Sequence, residues 1–336
     1  MIQSKCWKVK KMFDGIPKDD DLELVDEILP DLKDGEMLIE ALYLSVDPYM
    51  RIALTESHIG GTMIGEQISR VVDSRDEHYP VGTFVRNFAG WRHKTIIKHE
   101  NTRRMPDLGD LPLSTALGVM GMPGLTAYFG FLEICKPKKG EVVVINGAAG
   151  AIGSVVGQIA KIKGCKVIGF AGDDEKCKWM KDLGFDFAYN YKKVILDDVL
   201  KKSAPDGIDC FFDNVGGDFS VTVLQHMNSL GRVSICGIIS LYNTNQVNSR
   251  PKEQPKDLYP ISSTVMDSKQ LIISTYDVNK KWSDEQWKEG EKQIAEWIRE
   301  GKIRYRETIT DGIENMYTAF QGLFVGSNIG KALVKC

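Results

Sequence analysis

Apolar and polar positions follow two different rhythms along the chain. Up to about residue 120, short runs at Glu36-Met37-Leu38-Ile39-Glu40-Ala41-Leu42-Tyr43-Leu44, Gln67-Ile68-Ser69-Arg70-Val71-Val72 and Gly82-Thr83-Phe84-Val85-Arg86 are punctuated by Gly and Asp, which predicts short strands in a compact β-rich region. The rhythm changes after Gly121-Met122-Pro123-Gly124. From Glu141 onward, strand-like apolar runs at 142–146, 166–170, 185–190, 208–215 and 232–237 alternate with stretches at helical spacing near 152–163, 174–183, 194–202 and 219–228. Such alternation predicts βαβ units around a parallel sheet, finished by a strand at Leu271–Thr275 and a helix near 284–299. Residues 301–336 return to short strands, Ile303–Tyr305 and Ala332–Val334, around a helix near 312–322, a tail expected to rejoin the first region. The polar stretch 243–260, with Pro251, Pro255 and Pro260, reads as a mobile loop.

Composition narrows the function classes. A chain of 336 residues exceeds the usual size of one domain, so two are predicted. With 26% charged residues and a net charge of -3, nothing favours nucleic acid or an anionic membrane as a partner. No apolar run reaches the roughly 20 residues needed to cross a bilayer, and Met1–Trp7 lacks the apolar stretch of a signal peptide. A cytoplasmic protein without membrane insertion is the expectation. Cys6, Cys135, Cys165, Cys177, Cys210, Cys236 and Cys336 form no CxxC pair, which favours reduced thiols over a disulfide framework or structural zinc.

The strongest local signal is Val142-Val143-Val144-Ile145-Asn146 running into Gly147-Ala148-Ala149-Gly150-Ala151-Ile152-Gly153. Glycines at 147, 150 and 153 permit a tight strand-to-helix turn and close approach of backbone to a pyrophosphate, while the helix start offers N–H groups to the anion. The choice between NAD and NADP is written at the end of the next strand, Phe170-Ala171-Gly172-Asp173-Asp174-Glu175-Lys176. Small residues stand where an NAD enzyme carries its acid, and Lys176 follows, which favours NADP although Asp173 and Asp174 are close.

A zinc dehydrogenase needs Cys and His ligands, yet His58, His78, His93, His99 and His226 show no metal-ligand spacing with a cysteine, and Gly65-Glu66 lacks the intervening histidine of zinc-dependent relatives. Metal-free chemistry is expected. Tyr189 and Lys193 match the Tyr-x-x-x-Lys spacing of short-chain dehydrogenases, but about 140 residues precede the glycine turn, where those enzymes begin with it.

The strings Leu44-Ser45-Val46-Asp47-Pro48-Tyr49-Met50-Arg51, Gly121–Tyr128, 147–161 and Phe212-Asp213-Asn214-Val215-Gly216-Gly217 closely resemble the prostaglandin reductases, also called leukotriene B4 12-hydroxydehydrogenases or NADP-dependent alkenal/one oxidoreductases, in the zinc-free branch of the medium-chain dehydrogenases. The resemblance runs from about Trp7 to Val334. It implies an α/β protein: a GroES-like β-rich catalytic domain at 1–122, a doubly wound Rossmann NADP-binding domain at 123–300, and a return to the catalytic domain at 301–336. It also implies a homodimer through the nucleotide domains, and a cleft where NADPH meets a small or lipid enone or enal. By the same resemblance the pyrophosphate lies on Gly150, Ala151, Ile152 and Gly153. Lys176 and Tyr191 meet the 2′-phosphate, and Asn214 sits near the ribose or nicotinamide. Cys236, Gly237, Ile238, Ser240 and Tyr242 form the loop beside it, and Asn328 reaches across from the tail.

The implied reaction delivers hydride to the β carbon of an α,β-unsaturated carbonyl compound, with charge developing on the carbonyl oxygen. A hydrogen bond must be aimed at that oxygen, and Tyr242 is the candidate donor. Tyr49, Arg51 and Tyr259 are candidate substrate contacts, Arg51 for a lipid carboxylate, although Asp47 and Arg51 equally suit a structural pair. Val265 stands where some relatives carry a second tyrosine. The competing readings are a zinc-free quinone oxidoreductase and a non-catalytic NADPH-binding protein.

Overall fold

The computed structural model describes residues 2–244 and 267–336. Tyr259, Val265 and nearly all of the expected loop at 243–260 lie outside the described residues. The chain divides into two compact units, Met1–Gly118 with Glu307–Cys336, and Val119–Arg306.

In the first unit a seven-stranded sheet runs in the order Glu307–Asp311, Lys331–Lys335, Glu36–Ser45, Gln67–Ser74, Phe84–Asn87 and Thr102–Arg103, with Lys94–Lys98 also paired to Glu36–Ser45. The last strand of the chain pairs antiparallel with Glu36–Ser45, Val334 opposite Leu44. An antiparallel pair, Ile2–Val9 with Leu22–Leu29, was not predicted from the sequence: its positions alternate lysine and acid with apolar residues too irregularly for a period-two signal. The core gathers Phe13, Met50, Met63, Trp91 and Phe320, with the Trp91 ring edge-on to Phe320 at 5.6 Å. Burying each such side chain stabilises the fold by about 1.5–3 kcal/mol.

In the second unit six parallel strands stand in the order Phe187–Asn190, Lys166–Ala171, Val142–Ile145, Ile208–Asp213, Met227–Ile235 and Ile272–Thr275. This is the doubly wound Rossmann order, with its reversal between Val142–Ile145 and Ile208–Asp213. The helix Gly153–Ile162 buries Val155, Val156 and Ile159 on one face, as the spacing predicts.

Two expectations are corrected. No strand forms at Ile303–Tyr305: Arg304 N donates to Gln158 Oε1 at 2.8 Å and Arg304 O accepts from Gln158 Nε2 at 2.9 Å, so a helix side chain satisfies this backbone instead of a sheet. The strand of the tail is Glu307–Asp311. The helix expected near 219–228 spans Gly217–Gln225, because Met227 is already buried in the sheet opposite Ile208. Among the described residues no helix is long and apolar enough to cross a membrane.

Candidate cofactor and active site

At the carboxyl end of Val142–Ile145 the chain turns through Gly147 at φ +57°, a left-handed conformation that glycine adopts without strain. Ala148 N is tied to Phe170 O at 3.0 Å, and Gly150 N to Gly147 O at 3.1 Å. A Cβ on Gly153 would lie 2.6 Å from Gly147 O, so only glycine lets the helix start this close to the turn. That helix has Ile152 at its N-cap and no side-chain cap. Ser154 N donates to Gly150 O at 3.1 Å, and Val155 N and Val156 N to Ile152 O at 3.0 Å, so the N–H groups this turn offers to an anion are those of residues 151–153. Gly150, Ala151, Ile152 and Gly153 come together here, and they fit a dinucleotide pyrophosphate.

Asp213 organises the adjoining edge and was not singled out in the sequence. It is fully buried, accepts from Asn146 Nδ2 at 2.6 Å, and accepts from the N–H groups of Val215 and Gly216, both at 2.9 Å. Asn146 in turn accepts from Asn214 N at 2.7 Å, and its carbonyl from Asn214 Nδ2 at 2.8 Å. The available signal was a polar pair, Asn146 and Asp213, ending two apolar strands that prove adjacent.

The loop after Met227–Ile235 is zipped onto this network. Cys236 N and Gly237 N donate to Asp213 O at 2.8 and 3.1 Å, Ile239 N to Asn214 O at 3.3 Å, and Ser240 N to Val215 O at 3.1 Å. The loop ends in a short helix, Ile239–Tyr242, on which Tyr242 is buried. Burial pushes the Tyr242 phenol up to about 12, with the Cys236 thiol adding to the effect and a backbone hydrogen bond at Ile238 opposing it. Burial likewise pushes the Cys236 thiol up to about 12, against the Tyr276 hydroxyl, which hydrogen-bonds to it. Tyr276, a second residue that sequence reasoning missed, donates to Thr126 O at 3.3 Å.

At the end of Lys166–Ala171, Lys176 is three-quarters buried or more and Tyr191 is half-exposed, its N–H donating to Ala171 O at 3.1 Å. The Tyr191 ring edge and hydroxyl would stand 3.4 Å from a Cβ on Gly172, the residue before Asp173, with which Lys176 pairs at 3.6 Å. Tyr189 packs its ring on Phe170 at 5.5 Å, and Lys193 pairs with Asp174, so the short-chain spacing serves packing and an ion pair.

Tyr49, Arg51 and Asn328 belong to the first unit. Tyr49 is partly buried, its phenol held far above the ordinary range by burial and by Asp47 and Glu66. Arg51 is buried, donates to Gly15 O at 3.0 Å, and lies 5.6 Å over the Phe13 ring. Asp47 pairs with Lys331 at 2.9 Å. Asn328 Nδ2 donates to Gly330 O at 2.8 Å. Glu66, beside the missing histidine position, pairs with Arg86 at 3.0 Å, and Gln67 Nε2 donates to Gly90 O at 2.8 Å. Among the described residues no three His, Cys, Asp or Glu groups stand where they could hold a metal ion.

Residues 5–105 match a family described as the N-terminal domain of oxidoreductase, and residues 151–278 one described as zinc-binding dehydrogenase. The chain is 49% identical to prostaglandin reductase 1 of Rattus norvegicus over the full length of both. It is 34% identical to the NADPH-dependent curcumin reductase of Escherichia coli (strain K12), covering 99% of this chain and 97% of that one. The crystal structure of CurA from Vibrio vulnificus in complex with NADPH superposes with a TM-score of 0.88 at 36% identity, covering 98% of each chain.

Proposed function

The chain belongs to the prostaglandin reductase family of medium-chain dehydrogenases, and from that premise we propose how its residues reduce the carbon–carbon double bond of an α,β-unsaturated ketone or aldehyde with NADPH. The observation that carries the reading is the carboxyl end of the two central strands, Val142–Ile145 and Ile208–Asp213. There an uncapped helix start and the Asp213 network converge on a loop that ends in one buried phenol.

Bound NADPH supplies the hydride. Ala151, Ile152 and Gly153 hold the pyrophosphate by backbone N–H groups, Gly150 lets the backbone approach it closely, and Lys176 with Tyr191 holds the 2′-phosphate. Asn214, Cys236, Gly237, Ile238 and Ser240 line the ribose and nicotinamide, and their rigidity comes from the bonds to Asp213 and Val215. Tyr242 donates a hydrogen bond to the substrate's carbonyl oxygen as charge builds there, and its raised phenol keeps the proton in place at neutral pH. The Arg51 guanidinium is held by Gly15 O and the Phe13 ring, which favours its structural role. Seven free thiols suit a reducing cytoplasm. A homodimer formed through the nucleotide unit completes the reading.

The test compares a 15-keto prostaglandin, 4-hydroxynonenal and a quinone as acceptors, following loss of NADPH absorbance and the product by mass spectrometry. Enone consumption with a saturated product is expected. Turnover of the quinone alone moves the chain to quinone reduction, and silence with all three marks it as a non-catalytic NADPH binder.

A further inference from the structure

Asp173 occupies the corner at which the two nicotinamide dinucleotides differ, and its significance rests on the cofactor reading above. Gly172 alone separates it from the strand Lys166–Ala171, and it caps the helix Asp174–Asp182, its Oδ1 accepting from Lys176 N at 2.8 Å. Its Oδ2 lies 3.6 Å from Lys176 Nζ. The next two carboxylates have other cations: Asp174 accepts from Asn190 Nδ2 at 2.8 Å and pairs with Lys193, while Glu175 stands 3.7 Å from Arg306 Nη1. Asp173 alone of the three is paired with the ammonium that a 2′-phosphate requires.

A carboxylate after the second Rossmann strand accepts the ribose 2′-hydroxyl of NAD, whereas a cation there suits the 2′-phosphate of NADP. This chain holds both within one helical turn. A dianionic 2′-phosphate gains Lys176 and Tyr191, but it must draw Lys176 away from Asp173 and sit beside that negative charge. A free 2′-hydroxyl gains an acceptor and leaves the ion pair whole. The two effects oppose each other, and the side chain of Asp173 is 48% exposed, so water screens its repulsion without abolishing it.

We propose that Asp173 is a specificity-determining residue: it restrains the preference for NADPH, so that this enzyme also reduces enones with NADH. The same carboxylate that starts the helix thus sets how far the cofactor site discriminates.

The experiment measures kcat/KM for NADPH and for NADH with one enone in the wild type, Asp173→Asn and Asp173→Ser. Asn and Ser keep the capping oxygen while removing the charge, so the helix start is retained. Wild-type turnover of NADH is expected, and both variants raise the NADPH/NADH ratio by about fivefold to tenfold, mainly through a lower KM for NADPH. Salt shrinks the difference between wild type and variants. Fluorescence titration of each nucleotide reads the same shift in dissociation constants without turnover, which covers a variant that binds but reacts poorly. An unchanged or lowered ratio in both assays overturns the proposal while NADPH-dependent enone reduction stands. If the wild type reduces no enone with either nucleotide, the functional reading itself fails.

Discussion

Lys331 Nζ lies 2.9 Å from Asp47 Oδ1, and both side chains are buried, 3% and 10% exposed. The ammonium also donates to Val46 O at 2.8 Å and Ala332 O at 3.0 Å, and Ser45 Oγ donates to the other carboxylate oxygen. One ion pair therefore ties the segment leading into Tyr49 to the strand that follows Asn328. Lys331→Met strands the Asp47 charge in the core and is expected to destabilise this unit by about 3–5 kcal/mol. Urea unfolding of Lys331→Met and of the double variant with Asp47→Leu checks it: the double variant recovers much of the loss, since removing both charges removes the uncompensated one.

Tyr242→Phe is expected to lower kcat on enones by about 10²–10³-fold, the loss usual for one hydrogen-bond donor to a developing oxyanion, with the NADPH dissociation constant little changed. Wild-type turnover by the variant would remove Tyr242 from the mechanism.

The same phenol gives a signed pH prediction. Its folded value is raised to about 12 from the ordinary 10, so the unfolded chain releases the proton first. Its contribution to stability is fully present below pH 10 and is lost as pH rises through 12. Kinetics follow the same group: kcat has no alkaline limb from Tyr242 below about pH 11. Thermal unfolding and the rate profile across the alkaline range, each compared with Tyr242→Phe, separate the two effects.

A Cβ on Gly130 would fall inside the Tyr276 hydroxyl. Gly130→Ala is expected to cost about 1–3 kcal/mol through overpacking. Adding Tyr276→Phe, which removes the obstructing oxygen, restores part of it in calorimetry. Additive losses would mean that the two residues do not compete for this space.

Among the described residues the parallel sheet ends at Ile272–Thr275, with Ile272 half-exposed. An apolar sheet edge invites a second copy. Light scattering is expected to find a dimer, and Ile272→Lys to shift it toward monomer at equal concentration. A monomeric wild type sinks the dimer assignment.

The local sequence already determined the parts of this protein that depend on short-range geometry. Apolar runs and helical spacing set the βαβ order from Val142 to Asp213, and Gly147 and Gly153 announced the tight strand-to-helix turn, since positive φ and close backbone approach are properties of single residues and their neighbours. Tertiary structure decided what the buried polar residues do. Asp213 meets Asn146 across 67 positions, Asp47 meets Lys331 across 284, and Tyr276 reaches Thr126 across 150. The backbone of Ile303–Tyr305 went to Gln158 instead of to a sheet. A hydrophobic pattern states which side faces inward, but the desolvation of a buried charge or hydroxyl is offset only by a specific partner, and that partner is known only once distant segments have packed.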